Sequence, residues 1–116
     1  MSYRIVNKTR EVVLSNQAKK ADNFFKRFLG LMFRKHMDED EALIFYHSPS
    51  IHTFFMKMAI DVIFLDKNMQ VVRIVENLRP GKVISCFKSF VTIELPAHKT
   101  SKIPLEIGDI LQIIAS

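Results

Sequence analysis

A few polar side chains in this chain have the types and spacing needed for chemistry. Asp61 begins the apolar run DVIFLD, and His52 and Thr53 precede it by nine and eight residues. A histidine carries a proton near neutral pH, and a charged group in an apolar segment marks either a structural contact or a site. These residue types therefore favour either a binding site or an acid–base centre.

Arg27 is the basic residue best placed to neutralise a buried carboxylate. It borders the apolar face of a predicted helix, and Glu94 lies inside the strand-like run FVTIELP. A buried carboxylate without a partner is costly or takes up a proton, so we expect Arg27 to pair with Asp61 or Glu94. The pattern leaves open whether such a pair is structural or lines a pocket.

The sequence lacks the strong signatures of metal and cofactor sites. No His-x-His, His-Glu-x-x-His or Cys-x-x-Cys spacing occurs, and there is no Walker loop or dinucleotide glycine fingerprint. We therefore expect no metal and no cofactor, and we assign no catalytic residue. The single cysteine, Cys86, cannot form an internal disulfide and is expected to be a buried, inert thiol.

Length and composition predict one domain over residues 1–116. With 48% hydrophobic residues the chain can bury a single core, and no apolar stretch approaches the roughly 20 residues of a spanning helix. The net charge of +5 comes from scattered short basic clusters, some of them followed by the acidic run MDEDEA, which argues against specific nucleic-acid recognition. We expect a cytoplasmic domain with no membrane contact, whose candidate partner is a small molecule.

Most of the chain has the pattern of short strands. The stretch SYRIVNKTREVVLSN predicts a hairpin, and residues from about Ala18 to Leu29 predict one amphipathic helix. From residue 42 onward, seven apolar runs rich in Val, Ile and Phe predict strands. The expected fold is α+β and mainly β, a small antiparallel barrel or sandwich of about eight or nine short strands with the helix packed on it.

Four ordered motifs resemble those of the bacterial and archaeal family known as domain of unknown function 192. They are RFLGLMFR (27–34), the segment from EALIFYH to residue 74, VTIELPAHK (91–99) and IGDILQI (107–113). The resemblance covers residues 18 to 114 approximately, and it implies a single small α+β domain without an established activity. It implies that the family's recurrent polar and glycine positions correspond to Arg27, Gly30, Arg34, His52, Thr53, Asp61, Glu94, Gly108 and Asp109.

Two positions depart from the family's pattern. Ala59 stands where a proline is usual, and His98 stands where a glycine is usual. The imidazole of His98 occupies space that the resemblance implies is open in relatives with a glycine at this position.

These observations favour a ligand-binding or accessory domain with a polar site at one end of the barrel. The candidate site residues are Arg27, His52, Thr53, Asp61 and Glu94. One alternative is an enzyme of unknown reaction in which His52 carries a proton and Asp61 orients it. Another is a nucleic-acid or partner-binding module that uses the basic patches around Lys19, Lys26, Arg34 and Lys35.

Overall fold

The computed structural model describes residues 2–21, 34–48, 50–54 and 56–116 of the chain. These ranges contain nine strands and one short helix. In chain order they are β1 (Tyr3–Asn7), β2 (Val12–Lys20), β3 (Glu41–Tyr46), β4 (Ser50–His52), β5 (Ile60–Leu65), β6 (Val71–Leu78), β7 (Val83–Ser85), β8 (Val91–Pro96), α1 (Lys99–Lys102) and β9 (Leu111–Ala115). The prediction of a mainly β fold with about nine short strands is confirmed.

Seven strands form one curled sheet in the order β6-β5-β8-β3-β2-β1-β9, and β4 pairs with β7 in a separate small sheet. The sheet closes at one end, where backbone bonds join the start of β6 to the chain before β9. The Val71 N–H donates to Asp109 O at 2.8 Å, and the Gly108 N–H donates to Val71 O at 2.8 Å. The large sheet is therefore a half-barrel.

The large sheet carries a hydrophobic core on each face. Residues from all seven of its strands form the inner core: Ile5, Leu14, Ala18, Ala42, Ile44, Ile63, Leu65, Val71, Val91, Ile93, Leu95 and Leu111. The opposite face carries the outer core: Ala21, Met37, Leu43, Phe45, Met56, Ile60, Val62, Phe64 and Leu78. Ile51 and Ile84 pack against the outer core, so the small sheet covers this face. Strands β5 and β8 are buried on both faces at all six of their positions.

The predicted start of the amphipathic helix is wrong. Ala18, Lys19 and Lys20 are the last residues of β2, where Ala18 pairs with Tyr3 on one side and Ala42 on the other. Pairing on both edges overrides the helical periodicity of the sequence. The rest of the predicted helix, including Arg27, lies outside the described residues.

The β2–β3 pair is parallel, whereas the sequence pattern predicted an antiparallel sheet. The connection between these two strands comprises residues 21–40, and the other pairs among the named strands are antiparallel. Two parallel strands need a long crossover connection, and residues 21–40 provide it between β2 and β3.

A buried carboxylate holds the closed end of the half-barrel. Asp109 is 3% exposed, and its Oδ2 accepts hydrogen bonds from Arg10 Nε at 2.7 Å, Asn7 Nδ2 at 2.8 Å and the Glu106 N–H at 2.9 Å. Burial acts to raise the pKa of Asp109, but these hydrogen bonds and the Arg10 charge outweigh it and leave the pKa below its usual value. The turn before β9 is thereby fixed against β1.

We expect Asp109→Asn to lower the free energy of unfolding by about 2 kcal/mol at pH 7, because the buried donors lose a charged acceptor. Since the folded pKa is lowered, the carboxylate stabilises the fold above its unfolded pKa of about 3.9, and this stabilisation is lost as the pH falls through the folded pKa. Urea unfolding at pH 7 and pH 3 checks both effects. The control is Glu106→Gln, which changes an exposed partner of Arg10 and should have little effect. Equal losses for both variants would contradict this role of Asp109.

Candidate functional site

Asp61 is a fully buried carboxylate whose two oxygens each accept two hydrogen bonds. Oδ1 accepts from the N–H groups of Asn77 and His98, both at 2.8 Å. Oδ2 accepts from the Thr100 N–H at 2.8 Å and from Thr100 Oγ1 at 2.6 Å. Two of these donors belong to the start of α1, where N–H groups have no partner within the helix. Asp61 therefore fastens β5 to β6 and to α1.

Two of the donors to Asp61 have left-handed backbones. Asn77 has a φ of 56° and His98 a φ of 68°. A residue with a Cβ adopts this conformation at a cost that glycine does not incur. The backbone thus gives a conformational reason for a glycine at position 98, one that the sequence alone does not show. The hydrogen bonds to Asp61 stabilise the same backbone in this chain.

Thr53 is a buried contact between two loops. Its Oγ1 donates to Arg79 O at 2.7 Å and accepts from the Lys82 N–H at 2.9 Å, while its own N–H donates to Lys82 O at 2.8 Å. These bonds fasten the end of β4 to the turn before β7. Thr53 therefore positions the small sheet.

His52 lies on the exposed side of the small sheet. Its ring stacks on that of Phe54, with ring centroids 5.3 Å apart, and its strand partner is Val83. None of the four hydrogen bonds to Asp61 comes from His52. The geometry of the described residues thus does not join these two side chains as an acid–base pair.

Glu94 is a buried carboxyl in the middle of β8. Its partners across the sheet are Leu43 on β3 and Val62 on β5, which both belong to the outer core. The residue is 6% exposed, and no hydrogen bond or ion pair reaches its carboxyl from elsewhere in the described ranges. Burial in these apolar surroundings raises the pKa of Glu94 to about 8, so the neutral acid predominates at pH 7.

The sheet separates the two candidate carboxyls. Asp61 pairs with Leu95 of the inner core, whereas Glu94 pairs with Val62 of the outer core. Because paired residues share a face, Asp61 and Glu94 point to opposite sides. Glu94 lies on the side that the small sheet covers, and Arg27 lies outside the described residues. The pairing of Arg27 with either carboxyl stays a prediction.

Arg34 forms an ion pair with Glu41 within the fold. Its Nη1 and Nη2 donate to the two carboxylate oxygens of Glu41 at 2.5 and 2.8 Å. This hydrogen bonding is the main reason that the pKa of Glu41 is lowered, although burial opposes it. Arg34 therefore ties the start of β3, a role that its place in a basic cluster did not indicate.

The part of the chain that the structure describes holds no group of three or more His, Cys, Asp or Glu side chains arranged to bind a metal ion. It also has no helix long and apolar enough to cross a membrane.

Comparison with known proteins gives both a family match and a shared fold. The family model of domain of unknown function 192, described as an uncharacterized ACR, matches residues 5–113. A UPF0127 protein of the archaeon Pyrococcus horikoshii is 39% identical over 112 residues, which cover 90% of this chain and 94% of that protein. A UPF0127 protein of Pyrococcus furiosus is 36% identical over 122 residues, covering 93% and 96%.

Two solved structures have the same fold. One, from Sinorhizobium meliloti 1021 and described provisionally as a transcription regulator, has a TM-score of 0.81 at 20% identity and covers 95% of this chain and 90% of its own. The other, a protein of unknown function from Novosphingobium aromaticivorans, has a TM-score of 0.80 at 18% identity and covers 95% and 82%. Similarity at this level of identity establishes the architecture only.

We expect Asp61→Asn to lower the free energy of unfolding by about 3 kcal/mol, because in either orientation the amide nitrogen would face at least one buried N–H donor. The matched control is Asp66→Asn, in which a partly exposed carboxylate that accepts from two turn N–H groups is replaced. That change should cost less than about 1 kcal/mol, since water and the remaining amide oxygen can satisfy the donors. Urea unfolding of both variants decides, and similar losses would argue against Asp61 as a structural anchor.

We expect the stability of the protein to fall as the pH rises from about 4.5 to about 8. The folded pKa of Glu94 is raised, so its contribution is fully present below the unfolded pKa and is lost as the pH approaches the folded value. The change amounts to roughly 5 kcal/mol at most. Glu94→Gln, which stays neutral, should flatten this dependence in urea unfolding measured across the same pH range. Glu11→Gln, an exposed glutamate, should keep the wild-type profile, and a Glu94→Gln profile as steep as the wild type would refute the assignment.

Proposed function

This chain belongs to the domain of unknown function 192 family, an uncharacterized group, and from the geometry of its own residues we propose that it is a small ligand-binding domain whose site is built around Glu94. The family resemblance expected from the sequence motifs is thereby confirmed, and the binding function is our proposal.

The observation that supports this proposal is the carboxyl of Glu94, a residue only 6% exposed to which the described ranges donate no hydrogen bond. Asp61 and Asp109, the other buried carboxylates in the described ranges, accept four and three hydrogen bonds respectively. Glu94 has no such partner in the described ranges. It is buried as the neutral acid, because burial raises its pKa to about 8. An apolar side chain of similar volume would fit this face of the sheet without the cost of burying a carboxyl. A polar group kept at a cost to stability is typical of a site.

The surroundings of Glu94 define the chemistry of the ligand. Leu43 and Val62 flank it directly, and Phe45 and Phe64 occupy the next positions along the same face. A neutral carboxyl offers one O–H donor and one carbonyl acceptor side by side. A complementary molecule has an apolar body and one head group with an adjacent donor and acceptor. Amides have this pattern at neutral pH, and carboxylic acids have it only while they are protonated.

The two other functions considered from the sequence have less support. The enzyme alternative needs Asp61 to orient His52, but both oxygens of Asp61 are occupied by other donors. The basic-patch alternative needs Arg34, whose guanidinium binds Glu41. Asp61 is thus not available to orient His52, and one of the four residues of the basic-patch alternative is already paired.

The proposal predicts that small amides with aromatic or aliphatic bodies bind the wild-type protein at neutral pH, and bind more tightly than carboxylic acids, which are ionised there. The affinity of the amides should fall as the pH rises through 8, because ionisation removes the O–H donor of Glu94. Ligand-observed NMR with a fragment set of amides, acids and amines measures this, and amide shifts of residues 43 and 62 locate the site.

Glu94→Leu should abolish this binding, whereas Glu11→Leu, at an exposed position, should leave it intact. Fragments that bind Glu94→Leu as tightly as the wild type would show that the site lies elsewhere. Preferential binding of amines at higher pH would show that the carboxylate is the binding form and would overturn the assigned head group.

A further inference from the structure

The outer face of the small sheet exposes aromatic and apolar side chains. Val83 is 57% exposed, Phe54 is 45% exposed and Phe87, two residues beyond β7, is 88% exposed. His52 faces the same way as Val83, its strand partner, and its ring lies on that of Phe54. The inward positions of both strands, Ile51 and Ile84, pack on the outer core. The outward side chains are therefore not needed to hold the small sheet in place.

The chain segments that build this face carry only positive charge. Residues 47–60 and 77–93 contain four basic side chains and no Asp or Glu, although the whole chain has 12 acidic residues. The four are exposed, and they are Lys57, Arg79, Lys82 and Lys88. Lys88 Nζ lies 5.9 Å from the centre of the Phe87 ring. Positive charge and an exposed ring thus occur together at Phe87, and Lys82 directly precedes the exposed Val83 in the sequence.

We propose that this face binds single-stranded nucleic acid. Every base has a flat π-face that stacks on an exposed aromatic ring, and lysines beside the rings neutralise phosphates. The stacked pair of His52 and Phe54 provides one platform and Phe87 a second. The His52 and Phe54 rings and the Phe87 ring belong to different segments of the chain, so each platform can stack with its own base.

Single-stranded nucleic acid fits this surface better than an acidic polypeptide does. The charges alone would suit either partner. The stacked rings of His52 and Phe54, with an interplanar angle of 26°, present a planar surface that carboxylate side chains do not need. This face is separate from the basic clusters considered from the sequence and from the Glu94 site, so its test does not depend on the proposed ligand.

The test is fluorescence anisotropy with short labelled oligothymidylate and oligouridylate, from about 50 to 200 mM salt. We expect at least one of them to bind at the lower salt concentration and to weaken steeply as salt is added. Phe87→Ala and Phe54→Ala should each reduce affinity about tenfold through lost stacking. The double variant Lys82→Gln/Lys88→Gln should reduce the slope of log K against log salt by about 1.4, since each single-strand phosphate contact contributes about 0.7.

Matched controls distinguish binding at this face from the effects of net charge and of nonspecific hydrophobic contact. Lys8→Gln/Lys67→Gln removes the same charge from two exposed turns elsewhere, and Ile107→Ala removes another exposed apolar side chain. These controls should bind as the wild type does, apart from a small uniform loss. Urea unfolding of each variant confirms that the exposed substitutions leave the fold intact.

Three results would overturn the proposal. The first is no binding of either oligonucleotide at about 50 mM salt. The second is an equal loss in the control and the Lys82/Lys88 variants, which would indicate nonspecific charge attraction. The third is displacement of the oligonucleotide by polyglutamate with the same dependence on Phe54 and Phe87, which would identify an acidic polypeptide as the partner.

Discussion

Strands β5 and β8 are buried on both faces, and this constraint governs the polar chemistry of the molecule. A polar side chain on either strand must find a hydrogen-bond partner inside the protein or remain neutral, because water does not reach it freely. Asp61 meets the constraint through four donors, and Thr92 meets it by donating to Ser48 O at 2.8 Å. Glu94 satisfies the same requirement by remaining neutral, because burial raises its pKa to about 8. The same requirement thus accounts for Asp61 as a structural contact on β5 and for Glu94 as a candidate site on the neighbouring β8.

The two faces of the large sheet have different roles in this arrangement. The inner face is closed by contacts from every strand of the half-barrel, and the closed end of the sheet is fastened by Asp109 and its three donors. The outer face depends on the small sheet, which Thr53 fastens through the turn before β7. Both proposed binding surfaces belong to this outer side. The inner side supplies the rigid support on which they are built.

The strands were largely predictable because their composition alone is typical of buried β-structure. The runs DVIFLD and FVTIELP mark β5 and β8 to within one residue, and the segment around NKT forms the expected hairpin. The predicted helix start at Ala18 was wrong because the alanine and lysine pattern of residues 18–20 fits a strand as well as a helix. The opposite orientation of Asp61 and Glu94 depends on register, which a one-residue shift would reverse. Three of the four donors to Asp61 are backbone N–H groups 16 to 39 residues away, and backbone groups have no signature in a sequence.

The position of β3 and β8 at the centre of the strand order has a consequence for how the chain folds. The hairpins β1–β2 and β5–β6 join segments that are close in sequence, but β3 pairs with β8 across nearly half of the chain, as Ile44 does with Ile93. Closing so long a loop costs entropy before its contacts repay it, so topologies of high contact order fold slowly. The pairing of β1 with β9, as of Tyr3 with Ala115, spans more of the chain still, so this strand order predicts a slowly folding domain. A fragment that ends before β8 retains both hairpins but not the strand that unites them.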